Sequence, residues 1–284
     1  MITVDSYSTN GNVHKTCEDY SLHSEYPLEH VIICDGCSSS RFTDVGARLL
    51  AHTAQKVLLD RISKEFNDVD EPEVFMQYFR GQVIYEISKV LDLLELNSEC
   101  LDSTLLVSFI KHNMIHTYLF GDGQVLIIYK SGDEELKTIS YKGNAPYYLS
   151  YQMLINREKN RVFKSFAKNS EEPLLTRYEE IIRKKQGIYS VETKSTLYSD
   201  FFIDPIPLDN ILFYLIMSDG TESFINRSNG ERVSYQKIVE EFSSFKNTNG
   251  EFIKRRVRRA IEDFAKENIY NTDDVSVAGF YFSD

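Results

Sequence analysis

Residues 2–8 alternate, with Ile2, Val4 and Ser6 on one face, which is the period of a half-buried strand. After the turn cluster Ser8-Thr9-Asn10-Gly11-Asn12, further strands are expected over 18–22 and 31–34. From Thr43-Asp44 the period changes to 3.6. Val45, Leu49, Leu50, Ala54, Val57, Leu58 and Ile62 fall along one side of a helix with Thr43 or Asp44 as its N-cap. A second amphipathic helix follows Glu71-Pro72 and carries Phe75, Phe79, Val83, Ile84, Ile87, Leu91 and Leu94. Two long helices, each apolar along one side, need a flat partner. Four β-rich runs at 103–110, 114–120, 124–130 and 136–140 supply it. The short polar breaks between them predict an antiparallel meander of hairpins.

Residues 141–210 are less regular, with Pro146, Pro173, Pro205 and Pro207 and a strand expected over 194–202. Having no core pattern of its own, this span reads as an elaborated, flap-like insertion within a single domain of residues 1–284. The continuous apolar run at 211–217 suits a central strand. Helices are expected over 221–225, over 235–242 and from Asn249-Gly250 through Phe264, and a last strand over 275–282. Strands at both ends, hairpins in the middle and pairs of helices fit one α+β domain with helices on both faces of antiparallel sheet.

Composition narrows the function classes. A net charge of −11 argues against a nucleic-acid surface, which needs clustered Lys and Arg. The run Lys254-Arg255-Arg256-Val257-Arg258-Arg259 reads as the solvated side of a helix, with a docking patch as the lesser alternative. No segment approaches the ~20 apolar residues of a membrane span, and the N-terminal residues lack the basic and apolar regions of a secretory signal. Cys17, Cys34, Cys37 and Cys100 do not suggest a disulfide framework, so the cytoplasm is the expected compartment. His23, His30, His52, His112 and His116 share no ligand spacing and are expected at the surface or on edge strands.

Carboxylates carry the chemistry. Glu18-Asp19, Asp35, Asp122, Asp219 and Asp273-Asp274 each adjoin a strand pattern, and Gly36, Gly123 and Gly220 follow three of them. Oxygen ligands without a His or Cys cluster suit hard cations such as Mg²⁺ or Mn²⁺. A glycine after the aspartate lets the backbone turn and brings its carbonyl within reach of an ion. A lone Asp-Gly is only a turn; three of them with a terminal Asp-Asp say more.

The ordered set Gly11…Glu18-Asp19, Asp35-Gly36-Cys37-Ser38-Ser39, Ser103-Thr104, Gly121-Asp122-Gly123, Ser218-Asp219-Gly220 and Asp273-Asp274-Val275-Ser276 resembles the metal-dependent Ser/Thr protein phosphatases of the type-2C family. The likeness runs from about 5 to 282 and is nearest to a bacterial branch. It implies a four-layer αββα sandwich, two antiparallel sheets flanked by helix pairs. It also implies two or three Mg²⁺ or Mn²⁺ ions. Asp35 would bridge two of them, Glu18 and the Gly36 carbonyl would complete one, Asp219 and Asp273 the other, and Asp122 with Asp219 would serve a third. Two ions ~4 Å apart lower the pKa of a shared water and orient it in line with phosphorus. The implied reaction is hydrolysis of phosphoserine or phosphothreonine, in a monomer that opposes a protein kinase or acts on its target.

Two positions depart from the family pattern. Its phosphate-binding Arg falls at His14, beside Lys15, with Arg41 nearby. Neither imidazole nor ammonium reproduces a bidentate guanidinium. Its His after the Asp-Gly turn falls at Cys37, a poor general acid for an alkoxide. His14 and Lys15 are therefore the expected phosphate contacts, and Cys37 is expected to pack. The competing reading is a pseudophosphatase that binds a regulator, but unpaired buried carboxylates are costly to keep for no purpose.

Overall fold

The computed structural model describes residues 1–62, 71–141, 145–153, 176–183, 189–196 and 200–283. Strands β1 (Ile2–Thr9), β2 (Tyr20–Ser24) and β3 (His30–Cys34) lead into helices α1 (Thr43–Ile62) and α2 (Pro72–Leu94). Two hairpins follow, β4 (Leu105–Lys111) with β5 (Met114–Phe120), and β6 (Gly123–Tyr129) with β7 (Glu134–Ser140). Next come β8 (Thr176–Arg183), β9 (Tyr189–Thr196), β10 (Asp200–Pro207) and β11 (Ile211–Met217). The chain closes with the short strand β12 (Phe224–Asn226), helices α3 (Tyr235–Ser243) and α4 (Phe252–Lys266), β13 (Ile269–Asn271) and β14 (Val275–Phe282).

Twelve of the described strands form two antiparallel sheets, one of seven in the order β1-β14-β11-β6-β7-β8-β9 and one of five in the order β10-β5-β4-β3-β2, and β12 pairs with β13 in a small third sheet. Three apolar clusters separate four layers. Ile32, Cys34, Val107 and Phe109 of the smaller sheet meet Leu50, Ala54, Phe75, Phe79 and Val83 of α1 and α2. Val31, Ile33, Leu106 and Leu119 meet Val125, Ile127, Tyr214, Ile216 and Phe280 between the sheets. Leu126, Leu215 and Val277 meet Phe242, Ile253, Val257 and Phe264 of α3 and α4. Strand β3 reads as unbroken apolar sequence because both of its faces are covered, and all five residues are buried. This is the expected αββα sandwich.

Several elements differ from expectation for physical reasons. The four β-rich runs are not one meander, since β4-β5 belongs to the smaller sheet and β6-β7 to the larger. The Gly121-Asp122-Gly123 link carries the chain across, and its two glycines have φ of 100° and 147°, backbone that other residues rarely adopt. Residues 221–225 form no helix: a 3₁₀ turn over Asp219–Glu222 runs straight into β12. The strand expected over 194–202 falls across the end of β9 and the start of β10, and residues 197–199 lie outside the described ones. Within 141–210 β8 and β9 extend the larger sheet, and β10 edges the smaller with a register shift between Ile203 and Ile206.

Thr43 opens α1 but does not cap it; its hydroxyl donates to Glu18 Oε1 at 3.2 Å. His30 and His116 are buried, contrary to the expected surface placement. His30 is held by Leu28 O at 2.8 Å and by the Gln55 amide at 2.9 Å. The basic run on α4 is solvated and locally paired, Lys254 with Glu251 and Arg259 with Asp263, while Arg256 reaches Glu241 on α3. No described helix is long and apolar enough to cross a membrane.

Candidate metal centre

All the acidic motifs converge at one end of the sandwich. Glu18-Asp19 precede β2 and Asp35 follows β3, both in the smaller sheet. Asp219 follows β11 and Asp273-Asp274 precede β14, both in the larger sheet. Asp122 lies on the crossover between the two.

Backbone pairing fixes each position. Asp35 N–H donates to Thr104 Oγ1 at 3.0 Å, and Thr104 N–H returns to Asp35 O at 2.8 Å. At Gly36 a Cβ would stand 2.6 Å from Glu18 O, so the Asp-Gly turn lies against the Glu18 backbone as only glycine allows. Ser218 Oγ donates to Asp19 Oδ2 at 3.0 Å and accepts from Ser276 N–H at 2.9 Å, tying the two sheets together. Asp274, only 2 % exposed, accepts from Gly11 N–H at 2.6 Å and Glu18 N–H at 2.5 Å. Asp273 is its opposite: its side chain is 49 % exposed and faces the cleft.

The electrostatics of the cluster are unfavourable without a cation. Burial, then repulsion from Asp274 and Asp219, pushes the Asp19 carboxyl well above the carboxylate range. Burial and repulsion from Asp19, Asp219 and Asp122 do the same to Asp35. Asp122 is raised by burial and then by Asp219. Glu18 and Asp273 are also raised, each chiefly by burial. Asp19 Oδ1 is buried and has no hydrogen-bond partner among the described residues. Like charges packed together with a buried, unpartnered oxygen are what a hard divalent cation would satisfy, and the donors are of the type it takes. The residues present fit such an ion.

The two expected phosphate contacts differ in placement. His14 turns into the carboxylates: Nδ1 is 3.0 Å from Asp274 Oδ1, and Nε2 is 3.7 Å from Asp273 Oδ1. Lys15 is exposed and makes no ion pair among the described residues. Cys37 is half-buried, with Sγ 3.0 Å from Ser39 Oγ.

Three residues with a part in the site are missing from the expected set. Asp19 was visible in the Glu-Asp pair, but only the fold shows its buried carboxyl between Ser218 and Asp274. Asp274 is the latch just described. Tyr148, in a stretch with no motif, is buried beside Cys37, Asp122 and Asp35; burial first, then Cys37, pushes its phenol well above the ordinary tyrosine range. A cavity of about 320 Å³ opens next to the carboxylates. Asp122, Asp219, Glu222 and Asp273 line it together with one cation, Arg232.

A carboxylate cluster between two antiparallel sheets, flanked by helix pairs, defines a divalent-metal enzyme of the sandwich class. The chain belongs to the protein phosphatase 2C family, whose sequence model matches residues 11–264. It is a protein serine/threonine phosphatase, acting on phosphoproteins with divalent metal. Solved structures share the fold at low identity. The Staphylococcus aureus Ser/Thr phosphatase Stp1 superposes with a TM-score of 0.56 at 11 % identity, covering 100 % of this chain and 96 % of that one. A bacterial serine phosphatase gives 0.54 at 12 %, covering 100 % and 99 %. The catalytic domain of the phosphatase PstP, in complex with two manganese ions, gives 0.50 at 15 %, again covering 100 % and 99 %. No curated protein sequence matches. Nothing in these comparisons favours a module that has lost the reaction.

Proposed function

We propose that Glu18, Asp35, the Gly36 carbonyl, Asp219 and Asp273 hold two Mn²⁺ or Mg²⁺ ions, with Asp122 beside Asp219 offering a third place. The carrying observation is the crowding of buried Asp19 and Asp122 with half-buried Asp35 and Asp219 at one end of the sandwich, where the carboxylates repel one another. When bound, the ions supply an acidified water and offset phosphate charge. The chain's own residues position and select. Thr104 and Gly36 set the direction of Asp35, and Thr43 orients Glu18. Asp19, held by Ser218, keeps its free oxygen inside the cluster as an acceptor. Tyr148 keeps its proton at neutral pH and gives the cleft an O–H donor.

Arg232 is the residue we propose for the substrate phosphate. It is exposed on the cavity wall, makes no ion pair among the described residues, and its fork geometry suits a phosphate. His14 is engaged with carboxylates instead. The wider reading is one 1–284 domain, a monomer in the cytoplasm that reverses a protein kinase's modification; four free cysteines suit a reducing compartment.

The test is Mn²⁺-dependent hydrolysis of a phosphothreonine peptide by wild type, Asp35→Asn and Asp219→Asn. Both variants should lose at least about two orders of magnitude, in keeping with loss of a group that acts at the reacting centre. Equal rates in all three would sink the assignment.

A further inference from the structure

We infer that His14 is itself a metal ligand through Nε2, so that this centre carries a nitrogen donor and prefers transition-metal ions over Mg²⁺. The inference rests on the metal reading above and goes beyond its all-oxygen set.

The geometry begins with Asp274. Both of its oxygens accept backbone N–H groups, from Gly11 and Glu18, so the carboxylate has one orientation. His14 sits in the loop between those two residues, where its own N–H donates to Gly11 O at 3.1 Å. Its side chain is 17 % exposed, with Nδ1 3.0 Å from Asp274 Oδ1. The ring is therefore held from behind by a fixed, buried carboxylate. Nδ1 meets that oxygen off its N–H direction and makes no hydrogen bond, so contact and charge hold the ring, and a small turn of the imidazole would give Asp274 the N–H that ligating histidines hand to a carboxylate.

The free nitrogen points the right way. Nε2 lies 3.7 Å from Asp273 Oδ1, while Glu18 Oε2 and Asp274 Oδ1 stand 4.0 and 3.0 Å from Nδ1, so carboxylates surround both edges of the ring. Two ligand atoms about 2.1 Å from one ion stand roughly 3.0 Å apart at a right angle and about 3.6 Å apart at 120°. The observed spacing lies close to the upper figure, so one ion can sit between imidazole and Asp273 after a small adjustment. A histidine placed only to neutralise Asp274 would have no reason to aim its second nitrogen at the most exposed carboxylate of the cluster.

The consequence is selectivity. Mg²⁺ demands oxygen ligands and keeps its waters, whereas imidazole strengthens binding of Mn²⁺, Co²⁺ and Zn²⁺ in increasing order.

The experiment uses the full chain stripped of metal and titrated with Mn²⁺ alone. Pulsed EPR of the bound ion reads directly bonded nitrogen as ¹⁴N modulation. Wild type should show it, protein grown with ¹⁵N-histidine should show the ¹⁵N pattern instead, and His14→Gln should show neither. The His14→Gln variant should also bind Mn²⁺ about 10- to 100-fold more weakly, with Mg²⁺ affinity unchanged. Bound Mn²⁺ without nitrogen modulation in wild type overturns the inference and leaves the metal reading standing. Wild type that binds no Mn²⁺ overturns both. The isotope-labelled wild type keeps the test decisive if His14→Gln folds poorly.

Discussion

Replacing Asp274 by Ala removes an acceptor that joins both ends of the 11–18 loop to the start of β14. Two backbone donors lose their partner, one on buried Gly11 and one on half-buried Glu18. A hydrogen bond to a charged group contributes about 1.5–3 kcal/mol, so two amount to roughly 3–6 kcal/mol. Part is offset, because Asp274 repels Asp19 and its removal relieves that strain. A net loss of about 2–4 kcal/mol remains, worth roughly 4–16 °C in Tm at about 2–4 °C per kcal/mol for a large domain. Asp274→Asn keeps one acceptor oxygen, though its –NH₂ then faces the other backbone N–H, so it should lose less than Ala by about 1 kcal/mol, the worth of one neutral hydrogen bond. The assay is urea unfolding of the metal-free protein followed by circular dichroism, with all three chains at one pH. A loss below about 0.5 kcal/mol for Asp274→Ala, the size of an ordinary surface change, would refute the reasoning. So would equal losses for Ala and Asn.

The metal-free protein should become less stable as pH rises from about 4 toward neutrality. Asp19, Asp35 and Asp122 have folded pKa values above their unfolded ones, so over that range the native state binds more protons and the slope of stability with pH is negative. Thermal melts in chelator from pH 4.5 to 8 check the sign, and saturating Mn²⁺ should abolish the decline. Arg232→Ala should raise KM for a phosphopeptide about tenfold, the worth of roughly 1.4 kcal/mol, with kcat little changed. A fall in kcat at constant KM would move Arg232 from substrate binding to another role.

Most of the architecture is written in the periodicity. The 3.6 period from Leu50 to Leu58 and the unbroken run 211–217 each specify one burial pattern, and the fold honours both, while Val45, expected on the same helix face, is exposed in the first turn. What local pattern cannot say is which sheet a hairpin joins, because β5 and β6 look alike on either side of Gly121-Asp122-Gly123. Periodicity also fails for buried polar residues. His30 looks like any loop histidine until Leu28 O and Gln55 are folded against it. At the centre, the acidic motifs could be read because an aspartate after an apolar strand is unusual. Which member of Asp273-Asp274 faces the cleft came from the family resemblance alone, since local pattern is silent on it: the answer depends on Gly11 and Glu18 arriving from more than two hundred and fifty residues away. Arg232 has no motif at all; only the cavity wall shows it.

The crossover at Asp122 has a mechanical side. Asp35 and Glu18 hang from one sheet and Asp219 and Asp273 from the other, so ions shared among them act as rivets through the sandwich. Slippage of the sheets past each other, which costs little at the solvated ends of strands, would then have to break coordination first. The interlayer core of Val31, Ile33, Ile127 and Ile216 should therefore exchange its amide hydrogens more slowly when the rivets are in place, although none of these residues lies among the proposed ligands.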